Sequence, residues 1–324
     1  MSDSLSELDL AIVHALQIDA RAPWARIAAA VGADTGTVTR HWQALRAGGL
    51  AWATIWPTPE RWARTTDVAL VLMDADAAVR DAITLMPWVI ALDETSAGVL
   101  AVVAESGGLE AIGARVRAIA GLGAGIRRTD VAASIVQEDS TWRLQALSRA
   151  QQRVLVAPAG ARRDVRPPSP EATAEIAAAL ADDPRLAVLT LARRLGVSEP
   201  TMRRTLDRSI AAGVLRFGCD LSMAAAGLGR AAVLWARARD VDAAADRAGL
   251  LAETHRAGIV VGPSPVFASV RMRTLTALPS IEHRWQDAAA VEVADRWTVL
   301  RTWKRNGHLL DGEGRSIRRI PVEW

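Results

Sequence analysis

Apolar positions fall into two textures that alternate along the chain. Between residues 8 and 50 they recur at helical spacing, so that Ile12 and Leu16 share one helix face and Val38 and Trp42 another. After Thr66 the texture changes to short apolar runs, DVALVLMDA, WVIALDE, GVLAVVAE and DVAASIVQ, which predict four strands. Val79, Ala82, Ile83 and Met86 predict a helix after the first strand; Leu109, Ile112, Val116 and Ile119 predict another after the third. The resulting order is βαββαβ, a ferredoxin-like sandwich.

Both textures then return. ATAEIAAALADDPRLAVLTLARRLGVSEPTMRRTLDRSIAAGV, residues 172–214, aligns without a gap on LDLAIVHALQIDARAPWARIAAAVGADTGTVTRHWQALRAGGL, residues 8–50. One constant offset matches Ile12 with Ile176, Leu16 with Leu180, Ala28 with Ala192, Gly32 with Gly196, Thr37 with Thr201, Arg40 with Arg204 and Gly49 with Gly213. GRAAVLWARAR, GIVVG, VFASVRMR and RWTVLRTW follow as strands, with helices near 241–252 and 278–289. An offset near half the chain predicts a tandem duplication rather than a short solenoid.

Punctuation divides each helical block into three. Ser6 followed by Asp9 is a capping box, and Ser169-Pro170-Glu171 supplies a cap, a first-turn proline and an acid at the matching start. Pro23 starts a second helix. Gly32 and Gly196 end the second helices in the left-handed conformation, Asp34 and Ser198 cap the third, and Gly49 and Gly213 close them. Helix, glycine turn, helix is the helix-turn-helix signature. In each third helix Val38 and Trp42, or Met202 and Leu206, face the core. That leaves Thr35, Thr37, Thr39, Arg40 and His41 in one copy, and Glu199, Thr201, Arg203, Arg204 and Arg208 in the other, as candidate DNA contacts. Short hydroxyls and arginines suit phosphate oxygens and major-groove edges alike. Glu199 either accepts from a cytosine amine or complements the helix dipole.

Composition narrows the class. With 324 residues, 50% hydrophobic and 23% charged, the chain has ample material for buried cores, which excludes long disorder and fibrous repeats. Cys219 is the only cysteine, so neither an intrachain disulfide nor a multi-thiolate metal site is available. The start, MSDSLSELDL, lacks the apolar core of a signal peptide, and no run approaches the roughly 20 apolar residues of a spanning helix. The expected location is the cytoplasm, with no membrane partner. Net charge is +3 although the pI is about 10.1. With no tyrosine, and Lys304 the only lysine, little titrates between neutrality and pH 10, so the pI says little about nucleic acid. His14, His41, His255, His283 and His308 show no metal spacing, and neither a metal nor a cofactor is expected. Gly121, Gly123 and Gly125 form a loop rather than a dinucleotide fingerprint, and no triad or paired-carboxylate motif is present. Residues 157–170, APAGARRDVRPPSP, read as a stiff linker, and the basic tail from Gly312 as loose.

A helix-turn-helix followed by βαββαβ resembles the Lrp/AsnC (feast/famine) transcription regulators, and the stretch from Leu8 to Leu50 is very similar to their N-terminal domain. The ending from Arg301 to Arg305, RTWKR, is similar to duplicated actinobacterial-type members. The resemblance implies an α+β fold: a tandem duplication of a winged-type helix-turn-helix domain plus a ferredoxin-like βαββαβ effector and oligomerisation (RAM) domain. The expected boundaries are 1–60, 61–147, a linker at 148–170, 171–222, 223–311 and a tail at 312–324. It further implies a regulator of double-stranded DNA, tuned by a small-molecule effector, that assembles as a homodimer or larger ring. The effector would lie near the turn between the second and third strands, at Ser96 and Gly98 and at Gly262 and Ser264. The family places an acid just after that glycine, and neither turn has one, which speaks against an amino-acid effector.

The two third helices differ at nearly every exposed position, which predicts an asymmetric operator for one chain. The second, richer in arginine, is expected to contribute more binding energy. The chain is expected not to be an enzyme. Siroheme decarboxylases nevertheless look similar, through Leu215-Arg216-Phe217-Gly218 and Gly227-Leu228-Gly229, and would use a histidine, arginine and tyrosine cluster. His255 and Arg256 are present, but no tyrosine is. A ligand sensor without DNA binding is the third alternative. The twelve tryptophans are expected mostly in packing or interfaces, with Trp42, Trp235 and Trp297 at core or strand positions.

Overall fold

Three helices open the chain, α1 (Glu7–Ile18), α2 (Trp24–Val31) and α3 (Thr35–Ala47), followed by strand β1 (Ala51–Trp56). Next come β2 (Asp67–Asp74), α4 (Ala77–Thr84), β3 (Val89–Thr95), β4 (Gly98–Glu105), α5 (Gly108–Gly121) and β5 (Gly125–Gln137). Helix α6 (Arg149–Leu155) precedes α7 (Pro170–Ala179), α8 (Val188–Arg194), α9 (Glu199–Ala211) and β6 (Arg216–Leu221). The chain ends with β7 (Arg230–Arg237), α10 (Val241–Leu250), β8 (Thr254–Val261), β9 (Val266–Met272), α11 (Leu278–Ala289), β10 (Glu292–Arg305), β11 (His308–Leu310) and β12 (Ser316–Arg319). This computed structural model describes residues 4–58, 61, 64–138, 141–156 and 165–322. They divide into a helical unit, Leu5–Trp62 with Arg143–Ser222, and a sheet unit built mainly from Ala63–Trp142 and Met223–Trp324.

In the helical unit the caps form as the sequence predicts. Ser6 Oγ accepts from the Asp9 amide while the Asp9 carboxylate accepts from the Ser6 amide, a reciprocal box. Asp34 and Ser198 cap α3 and α9 by accepting from Thr37 and Thr201 amides, each cap contributing about 1 kcal/mol. Gly32 and Gly196, at φ 73° and 67°, take the left-handed conformation that stops α2 and α8. Ile12, Leu16, Ile27, Val38, Trp42 and Leu45 are buried in the first three-helix group; Ile176, Leu180, Leu191, Met202 and Leu206 form the core of the second. A fully buried side chain of this kind gains roughly 1.5–3 kcal/mol over an exposed one, enough to fix such short helices.

The structure departs from three expectations. A winged motif would carry its own hairpin; instead the single strand β1 pairs antiparallel with β6, from Ala51 opposite Leu221 to Trp56 opposite Arg216. Arg149–Leu155, expected in the linker, form α6, because Ser148 and Gln151 make a second capping box and Leu155 is fully buried. The preceding residues join the same unit, since Leu144 donates its amide to Gln17 Oε1 and Ala146 and Leu147 donate theirs to His14 Nδ1. In the tail, β12 pairs with β11, so residues 316–319 are sheet rather than loose. The linker stretch 157–164 lies outside the described residues.

In the sheet unit the βαββαβ order appears twice, as β2 to β5 and β7 to β10. The first group hydrogen-bonds in the order β3-β4-β2-β5, the second in the order β8-β9-β7-β10. The 13-residue β5 and the 14-residue β10 outrun their own sheets and also pair with β8 and β3. Eight strands thereby close into a ring, and the β11–β12 hairpin extends from β10. Alternation along each strand sorts side chains to two faces. Ala69, Val71 and Met73 of β2 pack with Ile83, Ile112 and Ile119 of the helices. Leu70 and Leu72 face the interior with Leu100, Val233, Trp235, Phe267 and Trp297. The β5–β8 seam is so close that a Cβ at Gly258 would collide with the Ser134 carbonyl. Ring closure leaves none of these eight strands as a sheet end, and among the described residues β12 is the end strand of the ten-stranded sheet.

Candidate nucleic-acid interface

The exposed face of α3 is largely satisfied from within. Thr37 donates both its amide and its hydroxyl to Asp34, which holds that carboxyl below the usual range. Thr39 Oγ1 donates to the Thr35 carbonyl at 2.7 Å, and Arg40 donates to Thr37 Oγ1 at 2.9 Å. His41 Nδ1 lies 2.7 Å from Asp9 Oδ1, so this candidate joins α3 to α1.

The face of α9 distributes its charge differently. Arg203 donates to Glu199 Oε1 at 2.7 Å, one turn apart, so the Glu199 carboxylate is engaged inside the helix. Thr201 bonds Ser198 Oγ, and Thr205 Oγ1 donates to the Thr201 carbonyl. Arg208 donates to the carbonyls of Arg166 and Pro167, binding the strand of chain before α7. The exposed guanidinium of Arg204 has no hydrogen-bond or ion-pair partner among the described residues.

A pair of arginines outside the candidates read from the sequence joins the two three-helix groups. Arg21 donates to the carbonyls of Pro184 and Leu186, at 2.5 and 3.0 Å, and stacks over Phe217. Arg185 returns the exchange to the carbonyls of Ala20 and Ala22 and lies 3.9 Å from the Trp24 ring centroid. Burial lowers both guanidiniums, Arg185 to about 10. Arg46, in the last turn of α3, adds an ion pair to Asp183 at 3.1 Å. The signal was available: Arg21 and Arg185 occupy matching positions of the two aligned blocks. With β1 and β6 paired as well, α3 and α9 belong to one framework.

The four candidate effector residues lie in two turns of the sheet unit. Ser96 joins β3 to β10 twice: its amide donates to the Thr298 carbonyl, and its Oγ accepts from the Thr298 amide. Gly98, at φ 131°, sits where a Cβ would press on the Met73 carbonyl. Arg127 donates to the Ala97 carbonyl beside it. Gly262 packs on Asp130, which is 2.5 Å from Arg128 Nε, while Ser264 is buried and Arg237 holds the Pro263 carbonyl. Ser96 thus faces β10, Gly98 faces β2 and β5, and Gly262 faces β5. Inside the ring, Asp93 accepts from Arg256 at 2.8 Å and from Thr302 at 2.7 Å, and Arg271 reaches the same threonine. Arg128 lies over the Trp235 ring. His255 is buried and stacks on Trp142 at 4.0 Å. No group of three or more metal-ligating side chains occurs among the described residues.

Residues 5–46 match the AsnC-type helix-turn-helix domain. No curated protein sequence matches the chain. Among solved structures, the siroheme decarboxylase NirDL superposes with a TM-score of 0.56 at 14% identity, covering 98% of this chain and 96% of that one. NirDL in co-complex with an iron-uroporphyrin III analogue gives 0.57 at 14% identity over 93% of each chain. Escherichia coli AsnC gives 0.37 at 22% identity, over 41% of this chain and 93% of that one. The N-terminal segment thus carries an AsnC-type helix-turn-helix, and the whole chain has an architecture that NirDL shares. The expectation that the chain is not an enzyme is overturned by that likeness: an enzyme has this fold from end to end, so the fold gives no ground for excluding catalysis. No helix among the described residues is long and apolar enough to cross a membrane.

Proposed function

We propose that this chain is a DNA-binding transcription regulator of Lrp/AsnC type, a tandem duplication in which two unlike helix-turn-helix groups read one asymmetric operator in the cytoplasm. The observation that carries it is the helical unit itself. Two capped helix-turn-helix groups, one of them matching the AsnC type, are clamped together by the Arg21 and Arg185 exchange. Thr35, Thr37, Thr39, Arg40 and His41 on α3, and Glu199, Thr201, Arg203, Arg204 and Arg208 on α9, make up the two readers, with Arg204 the main phosphate or base contact. Arg208 and His41 act by positioning, since their partners are within the protein. An effector, if the sheet unit binds one, would act through the turns at Ser96–Gly98 and Gly262–Ser264, and further assembly would use β12. Footprinting at one-chain stoichiometry tests the reading: protection of two dissimilar half-sites is expected, and a perfect palindrome would sink it.

A second reading has its own observation. The interior guanidiniums of Arg128, Arg256 and Arg271 are the kind of group that binds a carboxylate-rich tetrapyrrole, and NirDL has been captured with an iron-uroporphyrin III analogue on this architecture. Titration with iron uroporphyrin III, followed in the visible spectrum, separates the two. A saturable shift at one site per chain supports tetrapyrrole chemistry, and an unchanged spectrum removes it.

A further inference from the structure

The strand of chain leading into α7 lies against the face of α9 that would enter DNA. Arg208 fixes it there, donating from Nη2 to the Arg166 carbonyl at 2.9 Å and from the same nitrogen to the Pro167 carbonyl at 3.4 Å. Val165 forms one wall of a groove of about 670 Å³ whose other wall is the outward face of α9, with Arg203, Arg204 and Asp207. Pro167 and Pro168 restrict the backbone just beyond, so the segment leaves the groove in a limited set of directions.

Charge bookkeeping across this groove singles out two groups. Arg203 is neutralised by Glu199, and Arg208 is engaged with carbonyls. The exposed guanidiniums of Arg204 and Arg166 have no hydrogen-bond or ion-pair partner among the described residues. One stands on the helix and the other on the segment beside it. DNA that seats the first turns of a recognition helix in its major groove brings the flanking sugar-phosphate backbone against whatever adjoins that helix. We infer that residues 165–168 form a short arm and that Arg166 binds the DNA backbone flanking the site of α9, with Arg208 as the positioning residue that sets the arm in place. This deepens the DNA-binding reading above and rests on it.

The test uses the full-length chain and a fragment that it selects from a random-sequence DNA library. Binding is titrated with salt for the wild type and for Arg166→Ala, Arg166→Lys, Arg208→Ala and Arg204→Ala. One lost phosphate contact lowers the slope of log K against log salt by about one unit. Arg166→Ala is expected to show that loss, to weaken selected and random DNA alike, and to leave the melting temperature unchanged, because its exposed guanidinium has no hydrogen-bond or ion-pair partner among the described residues. Arg166→Lys keeps the charge and the slope. Arg208→Ala, with its melting temperature checked, loses the same unit although its own guanidinium does not face DNA. Wild-type affinity and slope in Arg166→Ala would overturn the arm while a loss in Arg204→Ala upholds the DNA-binding reading. A wild-type chain that selects no DNA would overturn both.

Discussion

Replacing Lys304 by methionine is expected to remove a pH dependence from the stability of the sheet unit. Lys304 has no exposed surface, and its Nζ donates to the Met86 carbonyl at 2.7 Å. Burial pushes its ammonium down to about 7, against about 10.4 in an unfolded chain. Between those values the unfolded state binds more protons than the native state, so stability rises with pH through that window and is lost as pH falls toward 7. The gap corresponds to roughly 5 kcal/mol of charge burial borne by the fold below pH 7. Between pH 7 and 8.5 about 1.5 kcal/mol of it is recovered. Methionine has a similar shape and no charge, and leaves the Met86 carbonyl with the Val89 amide as its remaining donor, a cost of about 0.5–1.5 kcal/mol. The variant should therefore be more stable than the wild type by about 3–4 kcal/mol at pH 6, with the advantage shrinking as pH rises. Urea denaturation from pH 6 to 8.5 measures both curves. The buried Cys219 thiol, whose pKa burial raises, bends the upper end, but both proteins carry it and the difference isolates Lys304. Parallel curves would refute the reasoning.

Arg204→Ala should weaken DNA binding more than Arg40→Ala, because Arg40 is tied to Thr37 while Arg204 is unspent; equal losses in a gel-shift titration at fixed salt would contradict this. Arg21→Ala and Arg185→Ala each strip two carbonyls of their donor and should cost about 1–3 kcal/mol in urea melts, with a double mutant worse than either; melting curves that match the wild type would show that the exchange contributes nothing. His14, lowered to about 4 by burial and receiving two amides on Nδ1, binds fewer protons in the native state than its usual value near 6.5 allows. Stability should fall by up to about 3 kcal/mol as pH drops from 6.5 to 4, a loss that His14→Asn should lack; superimposable acid profiles would argue otherwise.

Much of the helical unit was legible because its signals are local. A cap such as Ser6 with Asp9, or a left-handed glycine such as Gly32, acts within one turn, and the gapless alignment presented each signal twice. The order of elements in the sheet unit was legible for a similar reason, since an apolar run bounded by polar residues, such as DVALVLMDA, reports a strand buried on both faces. What escaped depends on partners far away in sequence. Nothing near Ala51 announces that β1 will pair with β6, and the excess length of β5 and β10 gains meaning only when they cross to β8 and β3. Helix α6 is a shorter-range miss: Ser148 and Gln151 form a readable box, but seven residues in a polar stretch give too little apolar periodicity. At the candidate interface residue type located the faces of α3 and α9. It could not separate spent charges from free ones, because Arg203, Arg208 and Arg204 differ only in what surrounds them.

The central claim is that two unlike readers in one chain recognise DNA. Its most direct test is a salt titration of the intact protein on genomic fragments against random DNA, with footprinting of whichever fragment is retained. Binding at least about a thousandfold tighter than to random sequence is expected, falling steeply with salt, over two dissimilar half-sites. Equal, weak and salt-insensitive binding to every fragment would contradict it.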